Sequence, residues 1–164
     1  MNPPILTVNN KKEEKFLRRK TSNFDFSKYS KKEIRDLVKT MRAVMKEGIG
    51  VGLSANQIGL DIKVFVARLD NKTYAFFNPK ITNFSKETSV MEEGCLSVPG
   101  VFGPVERPEK ITIDGQDQNG KKMKIKAWGY LGRIFQHECD HLNGIIFTDK
   151  AIELYKERKE PRKK

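Results

Sequence analysis

The residues best suited to chemistry lie near the end of the chain, where both of its histidines fall within five positions. His137 and His141 enclose Glu138 in the run His-Glu-Cys-Asp-His. Side chains four residues apart project from the same face of a helix, so both imidazoles can reach one metal ion. Glu138 directly follows the first histidine and can exchange protons with a water molecule on that ion. The spacing therefore predicts a metal centre that activates water.

A pair of ordinary core or surface histidines is the plain alternative to a metal centre. Two observations favour the metal. The chain places its only two histidines in this motif. Glu138 also lies on the apolar stripe of the helix that the sequence predicts here. A buried carboxylate costs several kcal/mol unless an ion or a proton compensates its charge.

A catalytic centre of this kind uses three protein ligands and leaves one position open, so a third ligand is required. The metzincin pattern would place a histidine where the chain has Phe147, and this class is excluded. The remaining candidates are Cys95 and, from the charged tail, Glu157 or Glu160. For Cys95 the alternative is a free buried thiol. Cys139 is unsuitable because, two residues after the first histidine, it points about 200° away around the helix.

Two helices flank the middle of the chain. Ser30 and Glu33 form a capping box ahead of an apolar stripe, which predicts a helix over residues 31–47. A second apolar stripe carries the metal motif and ends where Gly144 can stop the helix. The residues of this second stripe are Leu131, Ile134, Phe135, Glu138, Leu142 and Ile145.

Between the two helices the periodicity changes to that of strands. The predicted strands cover residues 64–69, 73–77, 80–84, 111–114 and 123–128. Turn residues at Asp70-Asn71 and Asn119-Gly120 indicate hairpins. Residues 1–29 predict an arm or loop, and residues 151–161 predict a short helix. Helices that flank mostly antiparallel strands predict an α+β domain.

Length and composition limit the class of protein that the chain can be. A length of 164 residues predicts one domain over residues 1–164, with a basic tail at about 156–164. No run approaches the ~18 apolar residues that cross a bilayer, and the first ten residues hold no signal-peptide segment. We therefore expect a cytoplasmic protein without membrane contact, and a monomer. Two cysteines are too few for a disulfide scaffold, so we expect reduced thiols.

Three motifs of the chain together resemble those of peptide deformylases, and they occur in the same order. The motifs are Gly-Val-Gly-Leu-Ser-Ala-Asn-Gln at 50–57, Glu-Gly-Cys-Leu-Ser at 93–97 and Gln-His-Glu-Cys-Asp-His at 136–141. The resemblance implies the fold of that family, with an N-terminal helix and mostly antiparallel sheets around a central metal-binding helix. It also implies a metal-dependent hydrolase that removes the N-formyl group from the formylmethionine of nascent polypeptides and releases formate.

The same resemblance implies roles for individual residues. The implied metal ligands are Cys95, His137 and His141, with water as the fourth ligand. Glu138 would take a proton from that water and deliver it to the leaving amine. The Gln57 side chain and the Leu96 backbone N–H would stabilise charge on the formyl oxygen.

Substrate contacts and the identity of the metal are implied in the same way. The residues implied to bind substrate are Gly50, Val51, Gly52, Met91, Glu93, Gly94 and Ile134. The glycine loop would lie along an extended formyl peptide, and the methionine side chain would enter an apolar pocket lined by Val51, Met91 and Ile134. Glu93 and Arg107 form either an ordinary surface ion pair or buried support for the ligands. The implied cofactor is one divalent ion, Fe(II) in cells, which Zn, Ni or Co can replace.

Two positions depart from the family pattern. Ser54 stands where the family usually has alanine, and we expect its hydroxyl to alter local packing but not the ligand set. The arm lacks, at residues 8–11, the proline-containing turn that is common in relatives. Gln57 can also pair with Ser54 as a capping box, but Gly59 and the strand that follows leave no predicted helix to cap.

Two other functions fit parts of the sequence. A non-enzymatic RNA-binding or ribosome-binding protein would explain the formal net charge of +11, although no nucleic-acid motif is visible. A general metalloprotease would share Glu138 and both histidines, and cleavage that does not depend on a formyl group would distinguish it. For a deformylase, we expect the basic tail at 156–164 to contact the ribosome surface.

Overall fold

The helices and strands of the chain have the α+β arrangement that the sequence predicts. The computed structural model describes residues 1–157. Its α-helices are α1 (Lys11–Leu17), α2 (Lys31–Glu47) and α3 (Gly129–Leu142). Its strands are β1 (Gly52–Ser54), β2 (Val64–Leu69), β3 (Lys72–Phe84), β4 (Thr88–Cys95), β5 (Val98–Pro108), β6 (Lys110–Gln116), β7 (Lys122–Trp128) and β8 (Tyr155–Lys156). No helix within residues 1–157 has the length and the apolar character needed to cross a membrane.

Helix α2 begins and ends where the sequence predicts. The Ser30 hydroxyl accepts a hydrogen bond from the Glu33 backbone N–H at 3.1 Å, and the Glu33 carboxylate accepts one from the Ser30 N–H at 2.6 Å. These bonds satisfy N–H groups that have no partner inside the first turn of a helix. The capping-box prediction is therefore confirmed. The buried face of α2 packs against β1 and β2 through Ile34, Val38, Met41, Val44 and Met45.

The strands form two antiparallel sheets. The first sheet has the order β1-β2-β3-β6-β7, and the second has the order β4-β5-β8. Asp70 and Asn71 connect β2 to β3 with φ angles of 49° and 64°, as a type I′ hairpin turn requires. Gly120, with a φ of 78°, lies in the turn between β6 and β7. Both predicted turns are confirmed.

Helix α3 packs on the first sheet and turns its other side toward the second. Its apolar stripe joins a core formed with β2, β3, β6 and β7, which includes Phe135, Cys139 and Leu142. On its other side, Arg133 donates a hydrogen bond to the backbone oxygen of Val105 in β5 at 2.7 Å. This position brings the histidines of α3 close to the end of β4.

Strands β4 and β5 have no counterpart in the sequence prediction. They contain three glycines and three prolines, which are depleted in strands. Those residues are Gly94, Pro99, Gly100, Gly103, Pro104 and Pro108. Pairing between the two strands supplies the stability that local propensity does not. The predicted strands over 73–77 and 80–84 are one strand, β3, which continues through a register irregularity between Phe77 and Lys80.

Both ends of the described chain also differ from the prediction. The arm contains α1, which begins where the Asn10 side chain accepts hydrogen bonds from the backbone N–H groups of Lys12 and Glu13. A helix this short is too brief for its apolar period to be recognised. After Ala151 the chain forms β8, paired with β5, and the predicted helix over 151–161 is wrong as far as residue 157. The remainder of that prediction lies outside the described residues.

Candidate metal centre

Helix α3 places both histidines on one face, as their spacing predicts. Their ring centroids are 4.9 Å apart. The helix ends just before Gly144, whose φ of 76° is the left-handed conformation that glycine adopts without strain. The predicted helix end is confirmed. At this end the Thr21 hydroxyl donates a hydrogen bond to the backbone oxygen of Leu142 at 2.9 Å, which ties the helix to the N-terminal arm.

Cys95, the last residue of β4, meets the two histidines from the second sheet. Its Sγ lies 3.1 Å from Nε2 of His141, and one ligand atom from each of Cys95, His137 and His141 lies within 4.8 Å of the others. A thiolate and two imidazoles are donors that suit zinc, iron, nickel and cobalt alike. The three side chains can therefore hold a metal ion. Cys139 is buried in the core on the apolar side of α3, away from this group.

The charges around Cys95 favour its thiolate form. Burial raises the pKa of Cys95, but the nearby His141 and His137 outweigh burial and hold it well below the ordinary value. Burial alone would lower the pKa of His137, whereas its contacts with Cys95 and Glu93 raise it well above the ordinary value. Without an ion, the thiolate and the imidazolium thus stabilise each other. A metal that binds there replaces the protons of these groups.

Glu93 supports His137 from behind and does not reach toward the cavity as a free carboxylate. Its Oε1 lies 2.8 Å from Nδ1 of His137, so the Nε2 atom of that ring is left for a metal. Arg107 donates two hydrogen bonds to Glu93, at 2.6 and 2.9 Å, and Arg133 donates a third at 2.8 Å. All three side chains are buried. The Glu93–Arg107 pair is therefore buried support and not a surface ion pair.

The pKa of Glu93 follows from these contacts. Burial raises it, but the hydrogen bonds from His137 and Arg107 outweigh burial and hold the pKa of Glu93 far below the ordinary value of 4.5. Arg107 continues the network to Asp140, to which it donates a hydrogen bond at 2.7 Å. Sequence reasoning missed Arg133 and Asp140. Arg133 could have been recognised from the sequence as a charged residue of the predicted helix, one turn before His137.

Glu138 is buried beside the two histidines. Burial raises its pKa, although His137, His141 and the Ser54 hydroxyl act in the opposite direction. Ser54 donates a hydrogen bond to Oε2 of Glu138 at 2.7 Å. Gly52 leaves the space for the other oxygen, because a methyl group on Gly52 would lie 2.5 Å from Oε1. The Ser54 hydroxyl thus alters the contacts of Glu138, while Cys95 and the two histidines are brought together as expected.

Gln57 lies next to Cys95 and has two sets of contacts. Its Nε2 donates hydrogen bonds to Ser97 Oγ at 3.1 Å and to Cys95 Sγ at 3.5 Å. Its Oε1 accepts a hydrogen bond from the Ser54 backbone N–H at 2.9 Å. The sequence predicts no helix that a Ser54–Gln57 capping box could begin. This prediction is wrong, because residues Ala55–Ile58 form a 3-10 turn at this point. This bond leaves the amide nitrogen of Gln57 directed at the metal centre.

A cavity of about 500 Å³ opens in front of these side chains. It is lined by Gln57, Cys95, Leu96, His137 and Glu138, and by six of the residues predicted to bind substrate. Those six are Gly50, Val51, Gly52, Glu93, Gly94 and Ile134. Met91 does not line the cavity, in contrast to the prediction. The cavity extends along β4 from Cys95 back to Glu92, and Met91 lies one residue beyond this end.

Of the two tail carboxylates that remain candidate ligands, only Glu157 lies within the described residues. The backbone N–H of Glu157 donates a hydrogen bond to the oxygen of Gly100, and the residue is not among those that gather around Cys95. Glu160 lies outside the described residues. Phe102 also lines the cavity and was not predicted. Its ring packs where Gly94 has no side chain, since a methyl group there would lie 2.6 Å from the ring.

The chain is similar to peptide deformylases over most of its length. A profile of the polypeptide deformylase family matches residues 3–157. The peptide deformylase of Treponema pallidum (strain Nichols) is 43% identical over 121 residues, which are 74% of this chain and 75% of that protein. The crystal structure of the peptide deformylase from Thermotoga maritima has a TM-score of 0.84 and 31% identity, covering 93% of this chain and 99% of that one. A probable peptide deformylase from synechococcus phage S-SSM7 has a TM-score of 0.81 and 37% identity, covering 91% of this chain and 99% of that one.

The fold and this site define an α+β hydrolase whose side chains can hold a metal ion. The chain belongs to the polypeptide deformylase family, the enzymes that remove the formyl group from nascent peptides. The family resemblance of the three motifs is thereby confirmed. The chain is an enzyme, and the interpretation as a non-enzymatic RNA-binding protein is set aside.

Proposed function

We propose that the chain hydrolyses the N-formyl group of formylmethionyl peptides at a divalent metal held by Cys95, His137 and His141. The observation that carries this proposal is the convergence of one thiol sulfur and two imidazole nitrogens within 4.8 Å of one another, beside a buried glutamate and at the wall of one cavity. We propose Fe(II) as the metal in cells, which Zn, Ni or Co can replace, because thiolate and imidazole ligands accept all four. The bound ion supplies Lewis acidity to water and to the formyl oxygen.

Glu138 is the general base and acid of this reaction. Burial raises its pKa toward the range in which a carboxylate can accept a proton and then release it. It takes a proton from the attacking water and delivers it to the amine that leaves. The products are formate and a free N-terminal amine.

Gln57 and Leu96 stabilise the charge that develops on the formyl oxygen. The amide nitrogen of Gln57 lies beside Cys95, and Leu96 follows Cys95 in the wall of the cavity. Hydrogen-bond donors that are already oriented toward a developing charge lower the barrier without reorganisation. Gln57 is oriented because its Oε1 is held by the backbone of Ser54.

The peptide lies along β1 in an extended conformation. This strand is at the edge of the first sheet, so its outer backbone groups can pair with another strand. Gly50 and Gly52 permit close approach of the peptide backbone, and both line the cavity. Val51 and Ile134 supply apolar surface for the methionine side chain.

The wider organisation of the protein is proposed on the same basis. Residues 1–164 form one catalytic domain that acts as a monomer in the cytoplasm, with a basic tail at about 156–164 that contacts the ribosome. The formal net charge of +11 supports the last point, because a basic surface increases the encounter rate with ribosomal RNA. Most of the tail, from residue 158 onward, lies outside the described residues.

The test is formate release from formyl-Met-Ala-Ser by protein purified anaerobically, with the metal content measured. We expect Glu138→Ala to abolish release while the protein keeps its metal, and Cys95→Ser to lose both activity and metal. Cys139→Ala is the control, because it removes the other thiol without touching the centre. Absence of formate release from folded, metal-loaded wild type would contradict the proposal, and cleavage of unformylated peptides would indicate a general metalloprotease.

A further inference from the structure

Ser54 contacts the proposed base directly through its side chain. The serine is fully buried, and its hydroxyl oxygen lies 2.7 Å from Oε2 of Glu138 and 3.0 Å from the backbone oxygen of the same residue. Within residues 1–157, no other hydrogen-bond donor contacts the Glu138 carboxylate. The two residues are 84 positions apart in the chain. This contact is therefore made by the fold and not by local sequence.

Strand β1 contacts the Glu138 carboxylate through two residues that are neighbours on one face of the strand. Gly52 and Ser54 are two residues apart, so they face the same side of the strand, toward α3. Gly52 leaves room for Oε1, and a methyl group in its place would lie 2.5 Å from that atom. Ser54 fixes Oε2 through its hydrogen bond. One oxygen of the carboxylate is thus held by the Ser54 hydroxyl, and the other lies against the backbone of Gly52.

We propose that Ser54 is a positioning residue, which keeps the Glu138 carboxylate in the orientation required for proton transfer. A glutamate side chain has several rotatable bonds, and one fixed oxygen restricts the rotamers it can adopt. A general base works efficiently only when it stays within hydrogen-bond distance of the proton that it takes. This proposal rests on the assignment of Glu138 as the base.

The proposal predicts a particular pattern of kinetic constants. Ser54→Ala should lower kcat for formyl-Met-Ala-Ser by about tenfold and leave KM within about twofold, because the hydroxyl orients the base and does not bind the peptide. Metal content should not change, since the hydrogen bonds of Ser54 go to Gln57 and Glu138 and not to the proposed ligands. Ser54→Thr, which keeps a hydroxyl, should recover most of the lost kcat.

Thr21→Val provides a matched control. Thr21 is also buried, and its hydroxyl donates a hydrogen bond to α3, at the backbone oxygen of Leu142. This variant removes a comparable hydrogen bond to the same helix without touching Glu138. We expect the two variants to lose similar stability, while only Ser54→Ala loses kcat. An equal loss of kcat in both would show a general structural effect and overturn the proposal.

A double-mutant cycle and a crystal structure test whether the loss of kcat in Ser54→Ala arises through Glu138. In Glu138→Asp the carboxylate is one methylene shorter and cannot keep the contact, so adding Ser54→Ala should lower kcat no further. In crystals of zinc-loaded Ser54→Ala, the Glu138 carboxylate should occupy more than one rotamer. Additive losses, or an unchanged single rotamer, would contradict the proposal. If wild type releases formate and Ser54→Ala retains full kcat, only this inference fails, whereas no release by wild type defeats the proposed function itself.

Discussion

Glu93 links the candidate metal centre to two buried arginines. It accepts hydrogen bonds from Arg107 and Arg133 and contacts Nδ1 of His137. Removing one member of a buried ion network leaves the other charges without compensation, which costs about 3–5 kcal/mol. The same carboxylate fixes the orientation of a proposed metal ligand. Stability and metal affinity therefore depend on one side chain.

We predict that Glu93→Gln lowers the free energy of unfolding by about 3 kcal/mol at neutral pH. The pKa of Glu93 is held below its ordinary value, so its contribution to stability is complete above about pH 4.5 and decreases as the pH falls below it. The difference between wild type and variant should therefore shrink toward acid. Urea unfolding of metal-free protein across this pH range measures it, with the exposed Glu87→Gln as control. A difference that grows toward acid would contradict the prediction.

Gln57 is the residue for which the proposed transition-state role can be separated from support of the fold. Gln57→Glu replaces the amide nitrogen beside Cys95 with an oxygen but keeps the oxygen that accepts the hydrogen bond from the Ser54 backbone N–H. Loss of one oxyanion donor lowers kcat by roughly 10²–10³-fold in other hydrolases, and we expect a similar fall here with metal retained. Steady-state kinetics and metal analysis check it. Unchanged kcat would exclude Gln57 from the proposed role.

At the scale of elements, helices α3 and α2 contribute to the site in different ways. Helix α3 carries both histidines and Glu138, and its orientation is fixed by contacts with both sheets. Helix α2 carries none of the proposed catalytic residues and packs behind β1, the strand that contacts Glu138. Helix α2 therefore supports the site indirectly, through its packing against β1 and Leu96.

We predict that Ser30→Ala lowers the free energy of unfolding by about 1 kcal/mol, because the capping hydrogen bond of α2 is lost. Formate release at temperatures well below unfolding should stay at the wild-type level. Chemical denaturation and the kinetic assay measure the two effects. Ser27→Ala is the control, since its exposed hydroxyl contacts only Asp25. An equal destabilisation by both changes would argue against a specific effect of the cap.

At the scale of the whole molecule, two sheets meet around one helix. Cys95 comes from the second sheet, Gln57 follows the first strand of the first sheet, and the histidines come from α3. The site therefore assembles only when both sheets are in place. The described chain ends at β8, where the backbone of Glu157 pairs with Gly100 at the wall of the cavity.

We predict that a chain truncated after Glu157 binds ribosomes more weakly at low salt but releases formate from the tripeptide at the wild-type rate. The truncation keeps β8 and removes five basic residues and one acidic residue. Cosedimentation with ribosomes at several salt concentrations measures binding. The matched control changes Lys121, Lys122, Lys124 and Lys126 to glutamine, which removes the same net charge elsewhere. Equal weakening by both would indicate a general charge effect and not a tail contact.

The sequence by itself determined the features that depend on short spacing. The capping box of Ser30 fixed the start of α2, the Asp70-Asn71 pair fixed a turn, and the four-residue spacing placed both histidines on one face. Motif order also identified the family. These features are predictable because helix and turn geometry follows from backbone dimensions that do not depend on distant residues.

Only the tertiary structure decided the contacts between distant segments. Strands β4 and β5 form through mutual pairing despite their prolines and glycines, and the cavity extends along β4 only as far as Glu92, which leaves Met91 outside it. The burial of Glu93 between two arginines depends on α3 packing beside both strands. The Ser54 hydroxyl reaches Glu138 for the same reason. Such contacts join residues far apart in the chain, and their geometry is set by how whole elements pack.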